Sequence, residues 1–211
     1  MKISGYQVGY LSTNCYLISN DKTKEALIVD PGGAGDALAE EILKQSLSLK
    51  AILLTHAHFD HIAGVAALLE KIPAPLYAGE NEKRLCSMPE YNNSKDYGRP
   101  TTVKPDVWAR DGEKFSLAGL DFTCIATPGH TEGSVCWYFP KETTGDQPVL
   151  FAGDTLFEES VGRTDMPTGS MSDLVHSVKD KLFALPDETL VLPGHGGSTT
   201  IGHEKQYNCF V

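Results

Sequence analysis

Four apolar runs in this chain each end on a histidine or an aspartate: AILLT runs into His56, FTCIATPG into His130, VLFAG into Asp154 and TLVLPG into His195. Short, continuous apolar runs suit strands buried on both faces. In α/β folds, the loops that build a site gather at the carboxyl ends of such strands. The chain is therefore expected to bring several metal-capable side chains to one end of its sheets. Three of its seven histidines fall within THAHFDH, residues 55–61, which adds His58, Asp60 and His61 to the set. Gly129 and Gly194 directly precede His130 and His195, where glycine permits a tight turn.

Seven candidate ligands converge on this reading: His56, His58, Asp60, His61, His130, Asp154 and His195. A protein zinc site takes about four ligands, and a catalytic one keeps a position for water. Seven exceed the needs of one ion and suit two ions with a carboxylate between them. Imidazole and carboxylate suit zinc, iron or manganese, and ligand type alone does not choose among them. The two remaining histidines, His176 and His203, lie outside this pattern and are expected to be solvated or locally bonded.

Between these runs the periodicity alternates. TNCYLIS and EALIVDPG read as strands rich in β-branched and aromatic residues. GDALAEEILKQSL, AGVAALLEKI and SMSDLVHSVKDKLFAL read as helices, the last with Leu174, Val175, Val178, Leu182 and Phe183 on one face. SVCWYF is a further strand. Strands mixed with helices in two similar series predict an α/β sandwich with sheets inside and helices outside. At 211 residues the chain fits a single domain, 1–211, either one compact unit or a larger one built from two similar halves. Residues 86–114 are polar, carry three prolines and show no period. They are expected to be either an active-site lid or a surface insertion.

Composition narrows the function. A net charge of −10 counts against a broad surface for nucleic acid or anionic membrane. No apolar run approaches the ~18 residues of a membrane span, and the N-terminus shows no secretory pattern. The five cysteines, Cys15, Cys86, Cys124, Cys136 and Cys209, are scattered and form no CxxC pair. That predicts reduced, mostly buried thiols and a cytoplasmic location.

THAHFDH, with the downstream TPGHT, AGDT and PGHG, resembles the metallo-β-lactamase fold hydrolases. Within them, GRTD at 162–165 and the closing PGHGGSTTIGHEKQYN at 193–208 most resemble the small glyoxalase II-like (hydroxyacylglutathione hydrolase-like) proteins. The resemblance covers nearly the whole chain. It implies a four-layer αββα sandwich, in agreement with the layers read above. It also implies that His56, His58 and His130 hold one divalent ion, that Asp60, His61 and His195 hold another, and that Asp154 bridges them. Zinc is the first expectation, with iron or manganese as alternatives. Asp30 matches a family aspartate that supports the ligands from behind, and Asn14 matches a recurring position without assigned chemistry.

The reaction this implies is hydrolysis of a small acyl compound by metal-bound hydroxide, with a thioester such as S-lactoylglutathione as the substrate. Asp60 doubles as a proton shuttle. Longer glyoxalase II proteins grip glutathione with a C-terminal helical domain, which is expected to be absent here. Arg84, Arg99, Arg163 and Lys205 are then the candidate grips for an anionic substrate. Expected partners are a small molecule, possibly derived from glutathione, and neither nucleic acid nor membrane. Three other readings stay open: a mononuclear iron persulfide dioxygenase of the same fold, a β-lactamase, and a binding module without activity.

Overall fold

Alternation along the buried strands sorts their side chains into three layers. In the computed structural model, which describes residues 1–211, β1 (Lys2–Val8), β2 (Thr13–Asn20), β3 (Glu25–Val29), β4 (Ser48–Leu53), β5 (Leu76–Gly79) and β6 (Val107–Ala109) form one sheet in that spatial order. β1, β2 and β3 pair antiparallel, and β3 through β6 pair parallel. The second sheet has the order β14-β13-β10-β9-β8-β7, built from β7 (Lys114–Leu117), β8 (Leu120–Ala126), β9 (Val135–Phe139), β10 (Val149–Gly153), β13 (Leu190–Pro193) and β14 (Thr199–Thr200). A small hairpin, β11 (Leu156–Phe157) and β12 (Ser160–Val161), stands beside it.

From β4, Ala51 and Leu53 enter the layer between the sheets, while Ile52 turns outward. From β10, Val149 and Phe151 point inward, and Leu150 and Ala152 outward. Period-two alternation of this kind gives each strand two buried faces. The central layer holds Phe122, Trp137, Phe139 and Phe151, all fully buried. Burying each such side chain stabilises the fold by about 1.5–3 kcal/mol. The Trp137 indole donates to the Leu54 carbonyl at 3.1 Å and so ties the second sheet to the first.

The outer faces are covered by helices. α1 (Gly35–Lys44) and α3 (Val65–Lys71) pack Leu38, Ala39, Ile42, Val65 and Leu68 against the first sheet. On the second sheet, Val178, Leu182 and Ile201 cover Cys136, Leu150, Ala152 and Val191. The architecture is the expected αββα sandwich.

The helix expected over 170–185 is three pieces. α6 (Met171–His176) gives way to a π-helical turn, Ser177–Lys181, and a 3₁₀ turn, Leu182–Ala184. The wide turn lets Ser177 donate to the Pro128 carbonyl at 2.7 Å and Lys181 donate to the Ala126 carbonyl at 2.7 Å. Tertiary bonds to the end of β8 thus override the regular helical period.

Residues 86–114 are not one structureless loop. They begin within α4 (Lys83–Ser87) and include β6. Between them, Asn92 donates to the carbonyls of Leu85 and Thr101, and its own carbonyl accepts from Phe59 N at 2.9 Å. Cys15, Cys86, Cys124 and Cys136 are buried free thiols, as expected, and Cys209 is exposed. No helix is long and apolar enough to cross a membrane.

Candidate metal centre

Each sheet delivers its ligand candidates from the carboxyl ends of its strands. Beyond β4 the chain passes through Thr55 and His56 to His58, which stands at the start of α2 (Phe59–Ile62). This single helical turn carries Asp60 and His61. His130 follows β8, Asp154 follows β10 and His195 follows β13. Five of the seven side chains, His58, Asp60, His130, Asp154 and His195, line a cavity of about 590 Å³, and the buried His56 and His61 group with them.

Two clusters result. The ring nitrogens of His56, His58 and His130 lie within 4.8 Å of one another, and so do the ligand atoms of Asp60, His61 and His195. His58 Nδ1 is 2.9 Å from His130 Nε2. In the second cluster, His195 Nε2 lies 3.1 Å from Asp60 Oδ2 and His61 Nε2 lies 3.5 Å from the same oxygen. Asp154 stands between them: its Oδ2 is 3.6 Å from both His130 Nε2 and His195 Nε2, and its Oδ1 is 3.4 Å from His61 Nε2.

The opposite edge of several rings is already engaged. His61 Nδ1 faces Asp30 Oδ2 at 2.9 Å, and His130 Nδ1 faces the Arg163 carbonyl at 2.8 Å. His56 Nδ1 lies 3.1 Å from Thr55 Oγ1. Such partners fix tautomer and ring orientation and leave the other nitrogen free to ligate. Buried polar atoms normally find partners, yet His56 Nε2, His58 Nε2, His61 Nε2 and Asp154 Oδ1 have none in the chain. Divalent cations fit that donor set and satisfy atoms that are otherwise orphaned.

Electrostatics in the metal-free chain divide the histidines: His56, His58 and His130 are lowered, His61 and His195 raised. Burial and the neighbouring imidazoles push His56 well below the usual histidine range, and burial beside His130 brings His58 down to about 3. Both rings are therefore neutral, as ligands must be. Burial opposes charge on Asp60 and Asp154, but His61 and the other rings outweigh it and hold both carboxyls below the ordinary value. His61 shows the converse, raised against burial by Asp60, Asp154 and Asp30.

Asp30 also lies close to His56 and His61. Its oxygens are taken, however, by Thr55 N at 2.7 Å, Thr55 Oγ1 at 2.6 Å and His61. It supports the ligand loop, as expected, and is not itself a ligand candidate. Asn14 acquires a role that its sequence did not disclose. Its amide donates to the carbonyls of Pro193 and Gly196, and its backbone N to that of Gly194, so it holds the loop that carries His195. Thr13 donates to Asp60 Oδ2 at 2.9 Å, and the Tyr16 hydroxyl donates to the Pro193 carbonyl at 2.7 Å. Gly194 is required for close approach: a Cβ there would collide with Asp154 Oδ1 and His61 Cε1.

The proposed substrate grips fare unequally. Arg163 lines the cavity and is paired with Asp165 at 2.6 Å. Arg84 is committed to Glu132 and Lys205 to Asp187, and neither they nor exposed Arg99 line the cavity. Within 86–114, Asn93, Asp96 and Tyr97 form one cavity wall, with Tyr97 stacked on Phe59 at 4.1 Å between centroids. His176 bonds the Ser172 carbonyl and His203 faces Glu159, both away from the centre.

The model of the metallo-beta-lactamase superfamily matches residues 8–195, and the chain belongs to that superfamily. It is similar to hydroxyacylglutathione hydrolase GloC of Haemophilus influenzae, with 36% identity over 217 residues, covering 100% of this chain and 98% of that protein. Among solved structures it is similar to the BLEG-1 B3 metallo-beta-lactamase, with 40% identity, a TM-score of 0.91 and 99% of each chain covered. It is also similar to TTHA1623 in a di-iron-bound form, with 33% identity and a TM-score of 0.83 over 99% of this chain and all of that one.

Proposed function

We propose that this metallohydrolase uses two divalent ions, zinc foremost, to hydrolyse a small thioester such as S-lactoylglutathione. The observation that carries the proposal is the pair of three-ligand clusters joined by Asp154 on the floor of an open cavity. The likeness to GloC supports the choice of thioester, and the di-iron form of TTHA1623 supports the number of ions.

In this reading His56, His58 and His130 hold one ion, Asp60, His61 and His195 the other, and Asp154 faces both. When bound, such ions supply Lewis acidity, lowering the pKa of water and polarising a carbonyl oxygen. The chain supplies the rest. Phe59, Tyr97, Phe157 and Met166 wall the cavity and exclude water from the acyl group. Arg163 is the one arginine or lysine in that wall and is placed to meet a substrate carboxylate. Asp60 is the proposed proton carrier. It lines the cavity, with Oδ2 at 3.1 Å from His195 Nε2. A cytoplasmic location and a small-molecule partner, with neither nucleic acid nor membrane, belong to the same proposal.

A second reading, β-lactam hydrolysis, is favoured by the likeness to BLEG-1. Kinetics on S-lactoylglutathione, a simple lactone and a penicillin, each with and without chelator, separate the two. The expected result is fastest cleavage of the thioester, abolished by chelation. A penicillin turned over faster than the thioester would establish the second reading. No thioester turnover, with oxygen uptake on a persulfide by iron-loaded protein, would replace both with a dioxygenase.

A further inference from the structure

Glu82 stands immediately before α4, where a side chain would ordinarily cap its own helix, yet it makes no such bond. It is fully buried and turns the other way. Oε1 accepts from Ala57 N at 2.8 Å, and Oε2 accepts from the Thr131 hydroxyl at 2.9 Å. The backbone N–H of Gly133 also donates to this carboxylate. Ala57 lies between His56 and His58, and Thr131 directly follows His130. One carboxylate therefore fastens the two loops that supply the three-histidine cluster, one from each sheet. Thr131 and Ser134, with hydroxyls 2.6 Å apart, brace the second loop. Asp60, His61 and His195 receive no hydrogen bond from Glu82. Their supports are Thr13, Asp30 and Asn14.

We infer that Glu82 is a positioning residue that aligns His56, His58 and His130 across the two sheets and thereby sets affinity for the ion they hold, with little influence on the other ion. Partners one shell removed from a metal commonly change its affinity by about 10–100-fold. Here the lever is backbone: Ala57 N is fixed within the dipeptide spacing of two ligands, and a shift of that loop moves both imidazoles relative to His130.

The inference rests on the two-ion reading, and the test separates the two. Zinc affinity is measured by chelator competition on the whole chain for wild type, Glu82→Gln and Glu82→Leu. Cobalt(II) absorption follows each site, with His58→Ala and His195→Ala marking the spectrum of each cluster alone. Glutamine keeps a neutral acceptor for Ala57 N, and Glu82→Gln is expected to weaken the three-histidine ion about 10-fold while the other keeps its wild-type affinity. Glu82→Leu should lose the three-histidine ion altogether; should it fail to fold, Glu82→Gln decides. Thermal melting of metal-free Glu82→Gln should be no lower than that of wild type, which a general structural fault would not allow. A wild type that takes up one ion overturns the two-ion reading whatever the variants do. A wild type that takes up two, with Glu82→Gln weakening neither or both equally, overturns the role of Glu82.

Discussion

Asp154 reaches His130 and His195 through one carboxylate oxygen and His61 through the other, so its charge belongs to both clusters. Asp154→Asn should therefore lower the affinity of both ions and reduce turnover by more than about 100-fold, beyond what a supporting residue costs. Metal analysis beside kinetics checks this, and wild-type metal content in the variant would exclude the bridging role. Glu82 gives a prediction of a different kind. Burial pushes its carboxyl from 4.5 up to about 7, against three hydrogen bonds that favour the ionised form. Below pH 4.5 the folded and unfolded chains both hold the proton; between there and about 7 only the folded chain does, and stability falls as pH rises. The full loss is about 3 kcal/mol. Urea melts of metal-free wild type and Glu82→Gln should show the variant gaining on wild type by about that amount between pH 5 and pH 8. A difference that did not change with pH would contradict the burial argument.

The strands that end on ligands were legible because two signals coincide in them: an apolar run and a terminal histidine or aspartate. β8, β10 and β13 carry both, and all seven ligand candidates converge as the spacing suggested. Other elements lacked such a signal. β1 is an edge strand with mostly part-exposed residues, and its sequence shows no clean alternation. β6 is three residues long and owes its existence to pairing with β5. Glu82 sits in AGENEKRL, a polar stretch that reads as the solvated start of a helix; nothing local announces that its carboxylate is buried against loops 25 and 49 residues away. Gly194, by contrast, was legible as a turn but for an incomplete reason. The side chains of Asp154 and His61 fill the space that its Cβ would need. Gly194→Ala should therefore displace ligands more than backbone. The expected result is at least about 10-fold weaker metal binding with a nearly unchanged melting temperature for the metal-free protein. A large loss of metal-free stability instead would mean that the clash is relieved through β13 and not through the site.

For the molecule as a whole, sheet membership follows chain order. β1–β6 all precede Arg110 and β7–β14 all follow Glu113. Ions that bind only the folded chain add stability by mass action, about 2.7 kcal/mol at a free concentration one hundred times Kd. Titrating zinc into metal-free protein should raise the melting temperature progressively, and Asp154→Asn should abolish most of that rise. A wild-type melting temperature indifferent to zinc would argue against tight binding in the folded state.

The crossing from one sheet to the other is the exposed turn at Arg110, Asp111 and Gly112. Residues 1–112 carry His56, His58, Asp60 and His61, while 113–211 carry His130, Asp154 and His195. Neither piece owns a complete cluster, since the three-histidine group needs His130 and the other needs His195. The centre thus works as a conjunction: it exists only where both halves have folded and met. A chain nicked after Gly112 becomes a two-component reporter in which uptake of cobalt colour signals reassembly of the fragments, and each fragment alone stays colourless.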